Sequence, residues 1–545
     1  MWESICQAKG TARPCAGTNH RESQKSFWAS DTSLLYGCWS FRAMIRRHCQ
    51  AEPMIYYSDE IGRSPMSDFY DSIDRVVGDW DLLAAPLARI FSTSSGRPTD
   101  HVLYLKLFLI AYFQNVVYDT RLVAQCADSI AIRRFLCLSL VDRVPDHSSV
   151  SRVRDAFAEN GGLGEILTQV VEFCEQAGLI EGSSVHVDAT LVKANASVKE
   201  MRSMDTAKSV NEHLKEAREQ GKKLAVKNSE FYSPSDPEAR VRKKGSDKPM
   251  LCYTGVHVTD SKHQVILAAR VDYGDSPEVA ASLPAVIKAQ QTLTELGVPM
   301  DVVVADKGYD SVEFHNRVEE LGLRPATFYK RDKKKEGKFT HSDFEFDAER
   351  NLFICPWGNE LGFRGMRDES LAYVSKVSDC SNCPVSHRCL GEKTERKSLS
   401  RAVGEEASDR NRAFVSKREG KSHLRKRSST SEPPFGHAKR YGGLERVSCK
   451  GLAKAEVKFV MGAVAWNILK LVKAEPADVC ASPPPPRPRL VERNRPPETH
   501  KPAQEPLQRA LMVVETLQTA VEAATNAFKT RFFGRFTISQ WTLQN

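Results

Sequence analysis

Three carboxylates stand out by their settings. Asp306 closes the run Val302-Val303-Val304-Ala305 and is followed by Lys307-Gly308. Asp188 follows Val185-His186-Val187 in the same way. A short β-branched run ending in an acid reads as a buried strand that carries the carboxylate to its C-terminal end. Open α/β sheets place their chemistry at that edge. Glu432 lies in Ser431-Glu432-Pro433-Pro434-Phe435-Gly436, seven residues before Lys439. Ser431 is expected to cap a helix there, with Pro433 in its first turn. At about 100° per residue, seven positions return Lys439 to the face of Glu432. One acid at a strand end more often caps a turn than reacts. Three acids so placed point to a cation. Carboxylate oxygens suit hard Mg²⁺ (or Mn²⁺), which keeps waters and accepts phosphate oxygens. Two such ions about 4 Å apart can activate an attacking oxygen and stabilise a leaving one in phosphoryl transfer. Lys439 and Arg440 are then candidates to hold a phosphate beside the metal.

Two further sets could do chemistry or bind. Cys380, Cys383 and Cys389 read C-x2-C-x5-C, and Cys355 lies upstream. A thiolate set with one C-x2-C resembles a tetrahedral structural Zn²⁺ site; His387 is an alternative fourth ligand, and reduced loop cysteines are the plainer reading. Arg152 and Arg154 follow Pro145-Asp146-His147-Ser148-Ser149. Ser148 or Ser149 is expected to cap a helix bearing both arginines, which would suit a helix-turn-helix-like DNA module; a plain bundle with surface arginines is the alternative.

The elements that must position these residues follow from pattern. From Asp68 to about Ala177 the periodicity is helical, with a thick apolar face at Leu103, Leu105, Leu107, Phe108 and Tyr112. Residues 180–325 alternate strand and helix signals, including a hairpin pair at 253–258 and 264–269 and a helix over 276–296. Such alternation argues for a sheet with helices on its faces. Residues 326–420 are a basic, strand-poor insert holding the cysteines. A helix over 453–472 reads as core packing. The domains expected are thus 1–67 without assigned fold, 68–177 helical and DNA-binding, 180–325 and 421–475 as two parts of a catalytic core, 326–420 as the insert, and 480–545 as a proline-rich linker with a terminal helix.

Composition limits the classes. The chain of 545 residues carries net charge +9, with 41% hydrophobic and 27% charged residues. Residues 391–450 hold sixteen Lys/Arg against eight Asp/Glu, and Lys330-Arg331-Asp332-Lys333-Lys334-Lys335 adds a second basic run. Clustered cations beside candidate acids favour a polyanionic partner. The longest apolar run, Val102 to Val117, is broken by Lys106, Gln114 and Asn115, so a buried helix is expected rather than a membrane span. No basic start with an apolar block opens the chain, and a cytoplasmic, nucleoid-associated bacterial protein is expected.

These motifs together resemble a bacterial insertion-sequence transposase of the DDE class, over about residues 100–472. Val187-Asp188-Ala189-Thr190 with Lys193-Ala194-Asn195-Ala196-Ser197 is similar to the first-acid motif. Ala305-Asp306-Lys307-Gly308-Tyr309-Asp310-Ser311 is similar to the second. Glu432-Pro433-Pro434-Phe435-Gly436 with Lys439 is similar to the third, and the helical segment and cysteine insert resemble the same branch. The resemblance implies an RNase H-like mixed sheet flanked by helices, catalytic Asp188, Asp306 and Glu432, Mg²⁺, double-stranded terminal repeats and target DNA as partners, and a homo-oligomer. Tyr and Arg often stand seven and four residues before the glutamate in that family; here Arg425 and Ser428 do. The rival readings are a transposase-derived DNA-binding protein without catalysis and a DNA nuclease without strand transfer. A zinc hydrolase would need histidines near the strand ends, where only His186 and His257 are available.

Overall fold

A computed structural model describes residues 64–475, apart from 93–99, 207, 221–225, 246–247, 330–336, 368–369 and 392. The basic run at 330–335, the segment before residue 64 and the terminal linker and helix lie outside the described residues. Eight helices come first: α1 (Pro65–Val77), α2 (Trp80–Leu83), α3 (Ala85–Ser92), α4 (His101–Phe113), α5 (Asp119–Asp128), α6 (Ile130–Phe135), α7 (His147–Asn160) and α8 (Leu163–Gln176). Helix α4 is buried almost all round, as its nearly continuous apolar run requires. Its one buried cation, Lys106, bonds Asp74 at 2.9 Å and the Phe135 carbonyl at 2.9 Å. Its ammonium also lies over the rings of Trp80 and Phe135.

The sheet follows. Its strands are β1 (Ser184–Lys193), β4 (Arg240–Arg242), β5 (Met250–Asp260), β6 (Ile266–Tyr273), β7 (Val302–Ala305) and β8 (Arg324–Thr327). A small ribbon of β2 (Arg202–Ser203) and β3 (Phe231–Tyr232) stands apart from it, near helix α9 (Val210–Glu219). The order is β4-β5-β1-β7-β8, with β6 also on β5. Strand β5 runs antiparallel to β1 and β6, whereas β1, β7 and β8 run parallel. Helix α10 (Glu278–Glu295) returns the chain from β6 toward β7, and α11 (Val312–Glu320) links β7 to β8. β7 is buried at every position, which is why its sequence is a continuous apolar run rather than an alternating one.

The insert departs from expectation. It is not strand-poor. β9 (Glu345–Asp347), β10 (Leu352–Ile354), β11 (Glu360–Arg367), β12 (Ser370–Ser375) and β13 (Ser398–Ala402) form an antiparallel sheet in the order β13-β12-β11-β10-β9. Only a small core of Phe344, Phe353, Leu361, Tyr373 and Leu399 supports it. The strands are short, β11 is mostly exposed, and a register shift interrupts it between Phe363 and Gly365. Hence the alternation was hidden in the sequence. Two short helices, α12 (Val377–Ser381) and α13 (Ser386–Cys389), carry Cys380 and Cys389, and Cys383 lies between them.

Three helices close the fold: α14 (Glu406–Ser416), α15 (Arg418–Tyr441) and α16 (Leu452–Ala474). Helix α15 starts well before Ser431, so Ser431 is an interior residue whose hydroxyl donates to the Arg427 carbonyl. Pro433 and Pro434 therefore sit inside a helix, where each removes an i→i−4 bond. The Ser429 carbonyl, which Pro433 cannot bond, accepts from Gln264 Nε2 at 2.9 Å instead. Helix α16 is clamped to β6 by Asn467, whose side chain accepts from Ile266 N and donates to Ile266 O, both at 2.8 Å. The helical segment, the sheet and α16 share one hydrophobic cluster. No helix among the described residues is long and apolar enough to cross a membrane.

Asn467→Ala would strand a buried N–H and a buried C=O of Ile266. At roughly 1–3 kcal/mol for each such group, the expected loss is about 2–6 kcal/mol in equilibrium urea unfolding. A loss below about 1 kcal/mol would show that water or a backbone shift replaces both bonds.

Candidate active site

The site begins with a register. In the parallel pair β1–β7, Ser184 lies opposite Val302, Val185 opposite Val303 and His186 opposite Val304. Two residues further along each chain stand Asp188 and Asp306. Side chains two apart point to one face, and neighbouring strands lie about 4.8 Å apart. The pairing thus delivers the two carboxylates side by side. Asp188 is not at a strand end, as the sequence suggested; β1 runs on to Lys193 because β5 continues to pair with it. β7 has stopped at Ala305, which leaves Asp188 open on that side.

Burial raises the pKa of Asp188, and nearby Asp306 pushes the same way. Arg427 and the Ala189 N–H oppose them. Arg427 Nη1 lies 3.1 Å from Asp188 Oδ2, and its Nη2 lies 3.7 Å from Glu432 Oε1. One guanidinium therefore links two of the three acids. Asp306 Oδ1 accepts from Gly308 N at 2.6 Å. A Cβ on Gly308 would fall 2.8 Å from Asp306 Oδ1 and 3.0 Å from Glu278 Oε2, so a larger residue there would push on both carboxylates. The same contact brings in a fourth acid, Glu278, which opens α10 and pairs with Arg242 at 2.8 Å. Beneath them, burial holds the Tyr309 phenol protonated, and Asp188, Glu278 and Asp306 all push in the same direction.

Glu432 is exposed at 63% on α15, on the edge of this cluster. Three residues on, Phe435 stacks on His257 at 4.4 Å and 2°, and Phe459 packs on the same imidazole at 4.5 Å. His257 is the β5 partner of Asp188, so this sandwich fixes the helix over the acid. Burial pushes His257 down to about 3, and His186 likewise, the latter helped by His423, Arg427 and Lys426. Both stay neutral. Lys439 Nζ donates to Thr190 Oγ1 at 2.5 Å, and Arg440 is exposed beyond it.

Among the described residues, no group of three or more His, Cys, Asp or Glu side chains is arranged to hold a metal ion. The chemistry of the Asp188–Asp306 pair fits a hard divalent cation: two oxygen donors, one of them buried and mutually repelling. Glu432 does not complete a three-acid set in this arrangement, because Arg427 ties it to Asp188 instead.

The other expected sites fare differently. Asp146, not Ser148 or Ser149, caps α7, accepting from Ser148 N. Arg152 is exposed and donates to Ser149 Oγ. Arg154 is 4% exposed and makes two bonds to Asp119, at 2.8 and 2.5 Å. The expected DNA contact by Arg154 is thus corrected. Two positions on a helix are about 200° apart, so the two arginines cannot share a face. The four insert cysteines are free and half-buried. Asn359 N donates to Cys355 Sγ at 3.3 Å, and Ser375 Oγ lies 3.0 Å from Cys380 Sγ. Burial pushes the Cys389 thiol up, and Cys355, Cys383 and Cys380 add to the push, so the four thiols lie near one another. His387 is exposed.

Arg427, Glu278 and Arg242 were not singled out in sequence. Arg427 sits within Arg425-Lys426-Arg427, where it looks like one cation of a basic run. Its place five residues before Glu432 is one off the spacing usual in the family it resembles.

Two segments match known families. Residues 59–156 match the family described as Transposase domain (DUF772), and residues 354–472 match the one described as Transposase DDE domain. Together they support an insertion-sequence transposase of the DDE class. Glu432 lies inside the second match, and Asp188 and Asp306 lie between the two. No curated protein matches the chain. Among solved structures, a piggyBac transposase synaptic complex with hairpin DNA matches at 11% identity and TM-score 0.28, covering 75% of this chain and 74% of that one. A Mos1 transposase paired-end complex matches at 11% identity and TM-score 0.14, covering 43% and 60%. Scores this low carry no argument about this chain.

Asp188 binds its proton more tightly folded than unfolded. That contribution favours the fold at low pH and is lost as pH rises through the raised value. Asp188→Asn should therefore melt above wild type at about pH 7 without divalent cations, with the gap closing toward about pH 4. A variant melting lower at neutral pH would mean that the Arg427 pair outweighs the burial cost.

Proposed function

We propose that this chain is a DNA transposase that binds the terminal inverted repeats of its own insertion sequence and catalyses metal-dependent strand cleavage and strand transfer. The observation that carries it is the β1–β7 register, which sets Asp188 beside Asp306 under a helix bearing Glu432 and Lys439. The two transposase-domain matches supply the class. The mixed sheet with helices packed on it supports an RNase H-like core, built from residues 180–325 and 421–475 around the insert.

Asp188 and Asp306 are the residues that would hold Mg²⁺ or Mn²⁺, with Glu432 joining once Arg427 releases it. The cation's chemistry there is to activate an attacking oxygen and neutralise charge on the phosphate. Asp188 supplies a carboxylate whose burial makes its charge costly until a cation compensates it. Lys439, held at Thr190 two residues along β1, would grip a phosphate next to the acids. Arg427 can pass from the acids to the DNA backbone, since its partners are the same carboxylates that a cation would claim. The helical segment would carry the repeat contacts, with Arg152 on its exposed side. Duplex ends acted on together imply a homo-oligomer on DNA.

One structural Zn²⁺ on Cys355, Cys380, Cys383 and Cys389 is the reading to be tested against that of ordinary reduced thiols, since no group among the described residues is already arranged to hold a metal. Four thiolates leave no open position for water, so the role is to hold a small sheet whose own core is thin. Metal analysis of the purified protein should find about one zinc per chain. None in a folded, active preparation would return the four to ordinary thiols.

The triad is tested by pairing Asp306→Asn with Asp310→Asn. Asp310 stands after the turn, 4.0 Å from His315 Nε2. Asp306→Asn should lose cleavage and joining of a labelled element end in Mg²⁺, by about 10²–10³-fold as for loss of one central electrostatic group, and keep end binding. Asp310→Asn should cleave. The reverse result names the wrong carboxylate. Cleavage without joining by wild type would leave a nuclease, and binding without either would leave a DNA-binding protein.

A further inference from the structure

A cleft of about 190 Å³ opens directly beside Asp188. One wall is β1 from Ala189 to Leu191, and the other is the end of β4 and its turn, Arg242 to Gly245. The volume is several times the roughly 10–15 Å³ that one water needs. Its floor is fixed. Arg242 donates to the carbonyls of Gly274 and Ser276 and pairs with Glu278. That guanidinium is committed to the wall. Lys243 and Lys244 are not: both are exposed, and neither has an ion-pair partner among the described residues.

Charge in the cleft is out of balance. Lys439 reaches in from α15 to Thr190. Burial lowers its hold on a proton, and Lys244 and Lys193 lower it further, against an opposing pull from Glu445 and Asp188. Each of the acids nearby already has a cation of its own, Glu278 in Arg242, Glu445 in Lys193 and Asp188 in Arg427. Like charges facing one another across Thr190 cost free energy that an anion between them would recover. Three cations come from two separate elements, Lys243 and Lys244 from the turn and Lys439 from the helix. A single small anion would engage one or two of them. Successive phosphates of one backbone can engage all three.

We propose that the turn Arg242–Gly245 is a DNA phosphate-binding element, in which Lys243 and Lys244 grip the duplex backbone opposite Lys439 and so hold one strand against Asp188. The carrier of the phosphates rests on the transposase reading; the anion site itself does not. Lys243 and Lys244 act as positioning residues for whatever strand reaches the acids.

The test uses the full chain and a short duplex of random sequence, without divalent cations, so that no cleavage is needed. The double variant Lys243→Ala/Lys244→Ala should bind more weakly, and its plot of log affinity against log salt should be shallower by about 1.8, or about 0.9 for each lost phosphate contact. Lys243→Arg/Lys244→Arg should restore both. Lys288→Ala is the control for bulk charge: Lys288 is exposed on α10, roughly 15 Å along that helix from Glu278. It should leave the slope unchanged. Unchanged affinity and slope in the alanine double variant overturns the proposal, as does an equal drop in Lys288→Ala. Inorganic phosphate, added at constant ionic strength, should not displace the duplex. Full displacement would make the cleft a small-anion site and overturns the duplex assignment. If wild type cleaves no DNA while the slope still changes as stated, the transposase reading fails and the phosphate element stands.

Discussion

Everything near the candidate site depends on the pairing of two parallel strands. The β1–β7 ladder is short, with three residue pairs. A slip of one residue would turn Asp306 to the other face, because side chains alternate with a period of two. The register is held from both sides. β7 pairs with β8 over its whole length, and β1 pairs with β5 over nine residues. Val303, Val304, Val185 and Val187 are fully buried between them. Both faces of these strands are covered, so a one-residue slip would draw a carboxylate into the buried ladder, and that cost fixes where the two acids meet.

The third acid is placed by a different device. Helix α15 contains a Pro-Pro step that costs roughly 3 kcal/mol or more for an interior proline. Contacts on either side of the step offset it. Gln264 takes the Ser429 carbonyl, and its own carbonyl accepts from Trp466 Nε1 on α16. Phe435 is pinned on the His257 ring, whose other face meets Phe459. Gly255 makes room for this, since a Cβ there would come within 2.4 Å of the Phe459 ring. Thus the residue types that look least helical in α15 are the ones the sheet and α16 brace. Neutral His257 serves here as an aromatic plate, and its low pKa keeps a charge out of the sandwich.

Charge organisation follows from the same packing. A buried carboxylate, a neighbouring carboxylate and a guanidinium between two acids form a set in which each cost is partly met by another member. Arg427 thereby does two things that pull apart. It stabilises the acids when no cation is present, and it competes with any cation for them. In the basic cleft on the far side of Thr190, Lys243 and Lys244 face solvent, and Lys439 is only partly offset by Glu445 and Asp188. The two regions lie on consecutive residues of β1, so an anion drawn to one is brought to the other.

Sequence alone determined what depends on local pattern. A continuous β-branched run must be a strand covered on both faces, and Val302–Ala305 is one. Helical periodicity marked α4, α10 and α16 to within a few residues. Seven-residue spacing put Glu432 and Lys439 on one helix, although the start of that helix was hidden behind a serine and two prolines that elsewhere signal a cap. Tertiary structure decided what depends on segments far apart in the chain. The side-by-side acids come from strand register, which no single strand encodes. Arg427 and Glu278 enter the site only because α15 and α10 close on the sheet there. Arg154 left the candidate interface because Asp119, on another helix, holds it in the core. The insert became a sheet because five short strands share one small aromatic core, a gain that no strand shows by itself. Periodicity is a property of neighbours in sequence; ion pairs, registers and shared cores are properties of neighbours in space.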